Sequence, residues 1–138
     1  MSDPLIKRAG IQEEEDLVTL QFPKDLQQAK FLLNSEVAIF LECRKEFESE
    51  NQTEFPQTFH KTLAYAERFS RYKNKTSIKQ VRAALSKQNL HEFEIASLAN
   101  LCPENSDEAK SLIVSLKRFD DDTIQAILDE LSNLRKFN

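Results

Sequence analysis

Apolar residues in the last two-thirds of this chain recur at three- and four-residue spacing, the pattern of helices that each bury one face. Pro56 suits a first helical turn, and Phe59, Leu63, Ala66 and Phe69 then align on one side. Thr76 or Ser77 can cap a second helix with Ile78, Val81 and Leu85 inward. A third covers His91 to Leu101 and is stopped by Pro103. Ser106 can cap a fourth, in which Ala109, Leu112, Ile113 and Leu116 face the core. In the last, Ile124, Ile127, Leu128, Leu131 and Leu134 form the cleanest stripe. Asp120, Asp121 and Asp122 crowd its start and Arg135 and Lys136 its end, as the helix dipole favours. The pattern predicts an all-α unit of five helices over residues 55–138.

The front of the chain departs from this order. Val18, Leu20 and Phe22 fall on one side of an extended chain, with Thr19 and Gln21 opposite, so Leu17–Phe22 reads as a short strand closed by Pro23. A single strand cannot satisfy its own backbone groups. Its ladder partner therefore belongs to another chain, or the segment lies across its own helices. A short helix follows over Asp25–Leu33, with Leu26, Ala29, Leu32 and Leu33 inward. Another runs from Asn34 or Ser35, either of which can cap it, to about Phe47. Its Val37, Ile39, Phe40, Leu41, Cys43 and Phe47 spread over an arc of about 200°, wider than one packed face requires. Four regions result: a mobile acidic tail over 1–16 carrying Glu13, Glu14, Glu15 and Asp16, an arm over 17–48, a polar linker over 49–54, and the helical domain over 55–138.

Composition mainly excludes. The single glycine, Gly10, leaves no phosphate-cradling loop or dinucleotide turn in the 138 residues. The net charge of −4 provides no general attraction for nucleic acid or anionic membrane. The longest uncharged apolar stretch, Val37 to Leu41, is far short of a membrane span, and Met1–Pro4 shows no secretory or transit character. Cys43 and Cys102 read as free thiols of a protein of the cytosol or nucleus. His60 and His91 stand at no metal-ligand spacing, and no nucleophile motif is present, so no catalytic, cofactor or metal residue is expected. One charge asymmetry stands out: Lys61, Arg68, Arg71, Lys73, Lys75, Lys79, Arg82 and Lys87 are set against Glu67 alone. Arg71, Lys73 and Lys75 are the candidates for contact with nucleic acid or an acidic partner. The competing reading is a pair of solvated helix faces, favoured because no aromatic platform is legible beside them.

Several blocks, taken in order, carry a resemblance: Phe22-Pro23-Lys24, Leu32-Leu33-Asn34-Ser35-Glu36-Val37, Arg68-Phe69-Ser70-Arg71-Tyr72-Lys73-Asn74, Leu98-Ala99-Asn100-Leu101-Cys102-Pro103-Glu104, and Glu108-Ala109-Lys110-Ser111-Leu112-Ile113 with Ser115-Leu116 and Arg118-Phe119. The chain resembles the family of fourth subunits of eukaryotic RNA polymerase II, related to stalk subunits of RNA polymerase III and of archaea. The resemblance spans Leu17 to the C-terminus; the acidic tail does not match. It implies a bundle similar to the helicase-and-RNase-D C-terminal (HRDC) fold and a non-catalytic role in a nuclear polymerase. It also implies pairing with subunit seven in a stalk near the RNA exit path. Contact with the polymerase core would run through that partner, with transcription factors docking and RNA reached mainly through the partner. Carried over residue by residue, Phe22, Leu32, Leu33, Asn34, Ser35, Val37 and Leu41 would serve pairing. Val18 and Leu20 join them if the strand adds to the partner's sheet.

Overall fold

The computed structural model describes residues 16–49, 51 and 54–136. Six α-helices occupy the described residues: α1 (Asn34–Ser49), α2 (Gln57–Arg68), α3 (Lys75–Ser86), α4 (Glu92–Leu101), α5 (Ser106–Leu112) and α6 (Asp121–Lys136). Short 3-10 turns fall at Lys24–Leu26 and Val114–Arg118. The fold is all-α, as the spacing predicts. Helix starts lie slightly upstream of the expected caps. Asn74, rather than Thr76 or Ser77, accepts the Ser77 N–H at 2.7 Å, and Asn105, rather than Ser106, accepts the Glu108 N–H at 2.9 Å. An Asn just outside the helix offers its amide oxygen to these otherwise orphaned donors. His91 caps α4 through Nδ1, which accepts the Phe93 N–H, while the Glu94 carboxylate accepts the His91 N–H. Cys102 ends α4 in the left-handed region at φ 48°, a position that usually falls to glycine.

α3 and α6 pack together at the centre, α4 lies against α3, α5 against α6, and α1 and α2 form a pair that meets the rest through α1 and α3. The core joins Ile78, Val81 and Leu85 of α3, Ile95 and Leu98 of α4, and Ile124, Leu128 and Leu131 of α6, closed by Leu116. Leu33, immediately before α1, lies fully buried in the same core. Arm and bundle therefore share one interior.

The front third requires two corrections to its expected elements. Leu17–Leu20 is a turn, not a strand: Asp16 and Gln21 exchange backbone hydrogen bonds at 3.0 and 2.8 Å. The Asp16 carboxylate accepts the Val18 N–H, and Leu20 takes φ 60°. Alternation of Val18, Leu20 and Phe22 thus marks a tight reversal whose backbone partners lie in the same segment. The predicted helix over 25–33 shrinks to the Lys24–Leu26 turn, with Leu26 and Leu32 exposed. Phe31 donates its N–H to Glu92 and its carbonyl accepts from Arg82, so tertiary bonds take the backbone groups a helix would use. Phe22, Leu33 and Ser35, three of the residues the resemblance would assign to pairing, are buried within the chain. Phe22 stacks on His91 at 4.8 Å and meets Phe31 edge-on at 5.4 Å. Of the acidic tail over 1–16 all but Asp16, and of the linker over 49–54 residues 50, 52 and 53, lie outside the described residues.

Candidate functional site

Three polar joints hold the arm to the bundle and thereby decide which apolar groups remain outside. At the first, the Ser35 hydroxyl oxygen lies within bonding distance of three donors. They are the Ser70 hydroxyl at 3.0 Å and the backbone N–H groups of Arg71 and Tyr72 at 3.2 and 3.1 Å. This fixes the loop between α2 and α3 against the start of α1 and seats Tyr72 in the core, 1% exposed. Burial raises the Tyr72 phenol well above its ordinary range, with the adjacent Cys102 thiol adding to the effect. At the second joint, Arg82 of α3 donates to Glu36 of α1, to Glu92 of α4 at 3.1 Å, and to the Phe31 carbonyl at 2.9 Å. At the third, Asn100 of α4 accepts the Asn34 N–H at 2.9 Å, and its carbonyl accepts from Arg71 Nε at 3.3 Å.

A further ionic joint lies inside the bundle. Glu94 is completely buried and accepts from both guanidinium ends of Arg118, from the Ser115 hydroxyl at 2.6 Å and from the His91 N–H at 2.9 Å. Burial alone would push its carboxyl up, but these donors outweigh it and hold the group below the ordinary carboxylate range. Every acceptor site is used on neighbouring protein. The arrangement tethers the turn Val114–Arg118 to α4 and presents no proton to a ligand.

What the joints leave outside is apolar. Of eleven large hydrophobic side chains exposed among the described residues, six lie in the arm: Leu17, Val18, Leu26, Leu32, Phe40 and Phe47. Phe40 and Phe47 are 59% and 70% exposed. With Cys43 between them they form a ridge at i, i+3 and i+7 along the solvent side of α1. Val37 and Leu41, which the resemblance would assign to pairing, are half-buried on the same helix, and so is Asn34. An open groove of about 380 Å³ runs beside the ridge between α1 and α3, lined by Ile39, Phe40, Cys43 and Ile78 with Lys75 and Lys79 at its rim.

Of the three basic candidates, Lys73 and Lys75 border one groove beside α1, while Arg71 does not line it. Arg71 turns toward the end of α4, Lys73 Nζ donates to the Glu67 carbonyl at 3.4 Å, and Lys75 borders the grooves on the α1 side. No group of three or more His, Cys, Asp or Glu able to hold a metal occurs among the described residues. No described helix is long and apolar enough to cross a membrane.

The model of the family described as RNA polymerase Rpb4 matches residues 31–135, most of the chain and all six helices. The chain belongs to the RNA polymerase Rpb4 family. It is 72% identical to the DNA-directed RNA polymerase II subunit rpb4 of Dictyostelium discoideum, across the whole of both chains. The RNA polymerase II subunit 4 of Arabidopsis thaliana is 38% identical, over 91% of this chain and 97% of that protein. The subunit rpb4 of Schizosaccharomyces pombe is 35% identical, over 90% and 94%. In this Rpb4-family chain, the blocks that carry the resemblance are largely the joints: Ser35 and Glu36, Tyr72, and Asn100 with Cys102. Sequence reasoning placed both Phe40 and Phe47 in the arc of this helix without assigning either to contact, and the structure leaves both exposed. The i, i+3, i+7 spacing from Phe40 was the available signal.

Proposed function

We propose that the chain is a non-catalytic subunit of RNA polymerase II that acts in the nucleus by docking. Its mate is subunit seven, with which it forms the stalk. The polymerase core is reached through that mate, and accessory transcription factors and the transcript are handled nearby. The reading rests on full-length similarity to polymerase II subunits from several organisms. The observation that carries the docking part is the apolar ridge Phe40–Cys43–Phe47, together with exposed Leu17, Val18 and Leu32 beside a fully bonded junction. Exposed rings in this density are costly in water and are the usual mark of a surface meant to be covered. Val37 and Leu41 would flank the contact, whereas Phe22, Leu33 and Ser35 support it from behind.

Tagged chain purified from its own cells is expected to bring down subunit seven in equal amount together with polymerase core subunits. Phe40→Asp combined with Phe47→Asp removes both, because each change leaves an unpaired carboxylate in a dry contact. Both positions are exposed, so the helical circular dichroism and melting of the isolated variant should stay as in the parent. Recovery of undiminished complex with the double variant would overturn the placement on α1. Absence of any polymerase subunit with the parent chain would overturn the function.

A further inference from the structure

We infer that the outer face of α2 is a stacking platform for single-stranded nucleic acid, separate from the apolar ridge on α1. Tyr65 and Phe69 are 59% and 45% exposed, with ring centroids 4.7 Å apart and planes tilted by 46°. The Arg68 guanidinium stands 5.5 Å from the centre of the Phe69 ring. Lys61, also exposed, lies one turn before Tyr65 on the same side of the helix. Two ring faces flanked by two cations is the pairing that sequence-tolerant single-strand binders use: bases stack on the rings while the phosphates meet the charges.

The charge that α2 itself places on this face, Lys61 and Arg68, is of one sign. Glu67 is the one acid in Gln57–Arg68, and it lies about 160° around the helix from Tyr65, where it borders the groove against α1. The whole chain carries −4, so any attraction for phosphate must come from such a patch rather than from a general field. A protein partner seated here would have to supply acidic groups for Lys61 and Arg68 as well as cover two rings. A nucleic-acid strand supplies both complements in every residue. The platform also answers the objection to the basic segment in the sequence, where no aromatic surface beside the cations could be discerned.

The test uses the full chain, a labelled twelve-nucleotide oligouridylate and, as a second arm, the matching oligothymidylate, with anisotropy measured over a salt series. Binding is expected to be weak, and Tyr65→Ala should weaken it about tenfold, within the range for loss of one stacked base. Lys61→Gln with Arg68→Gln should flatten the dependence of log K on log salt by about 1.4, some 0.7 per lost phosphate contact. Tyrosine emission adds an independent readout, since the chain has no tryptophan and its other tyrosine, Tyr72, is 1% exposed. Saturating oligonucleotide should quench the Tyr65 contribution, and Tyr65→Phe should bind nearly as the parent while losing that quenching. Preference for one arm over the other distinguishes RNA from DNA as the strand bound, and either preference supports the platform. No binding at low salt, or binding and quenching unmoved by Tyr65→Ala, overturns it. So does a protein occupant, revealed if Tyr65→Ala releases a co-purifying polymerase subunit and leaves oligonucleotide affinity unchanged.

Discussion

Ser35 shows how much one hydroxyl can organise. It is 2% exposed, and its oxygen serves the Ser70 hydroxyl and two consecutive backbone N–H groups from across the α2–α3 loop. Alanine there leaves those two N–H groups without an acceptor in a site that water reaches poorly. Ser35→Ala is therefore expected to lower unfolding free energy by about 2 kcal/mol, read as a shift in urea midpoint with unchanged slope. Glu94 gives the residue scale a pH signature. Its folded carboxyl ionises below the ordinary value of 4.5, so its ionised form contributes stability that is fully present above that pH and is lost as pH falls through the lower folded value. Melting temperature followed from pH 6 downward should begin to fall just below 4.5. Glu94→Gln should lower stability at pH 7 by about 2–3 kcal/mol, below the range for a fully buried broken pair because the Arg118 side chain is 41% exposed. The same variant should flatten the acid limb, and an unchanged acid limb would show that other carboxylates govern it.

At the scale of elements, most of the helices were legible from spacing alone, because Ile78, Val81 and Leu85, or Ile124, Ile127, Leu128 and Leu131, do in the core what their periodicity says. The front third was not, for two physical reasons. A run such as Val18-Thr19-Leu20-Gln21-Phe22 alternates, yet period two does not distinguish a strand from a reversal. Leu20 at φ 60° and the Asp16 side chain on the Val18 N–H make the reversal. Phe31 is held by Glu92 and Arg82 from 61 and 51 residues away, contacts that no local window contains. The candidate site divides the same way. The excess apolar arc of α1 was visible, but which of its residues turn inward depended on the long-range joints at Ser35 and Arg82. The α4 cap offers a test at this scale. His91→Ala removes both the acceptor for the Phe93 N–H and the ring stacked on Phe22, whereas His91→Asp restores the acceptor alone. The aspartate variant should be more stable than the alanine variant by about 1 kcal/mol by chemical denaturation, which isolates the cap from the stack.

For the whole molecule, the decisive feature is that Leu33 belongs to the interior formed by α3, α4 and α6. An arm attached only by a linker could peel away and refold upon a partner. An arm anchored through a core residue cannot leave without opening the bundle. The apolar ridge on α1, proposed above for docking, is accordingly carried on a scaffold held by the chain's own core, and association through it would need little rearrangement of the backbone. This predicts one cooperative unit rather than two. Tyr72 emission, isolated by Tyr65→Phe, and helical circular dichroism should trace a single coincident transition in urea. Leu33→Ala, which opens a cavity in the shared core, should lower its free energy by about 3 kcal/mol. In native-state hydrogen exchange, the first amides bonded within α1, beginning with Val37 on the Leu33 carbonyl, should exchange only through the same global opening as the centre of α6. Amides near Phe47, far from the joints, should exchange through smaller local openings. Early exchange of the whole of α1 ahead of α6, or a separate first transition lost on deletion of residues 1–54, would mean that the arm folds apart from the bundle and acquires its form only on its partner.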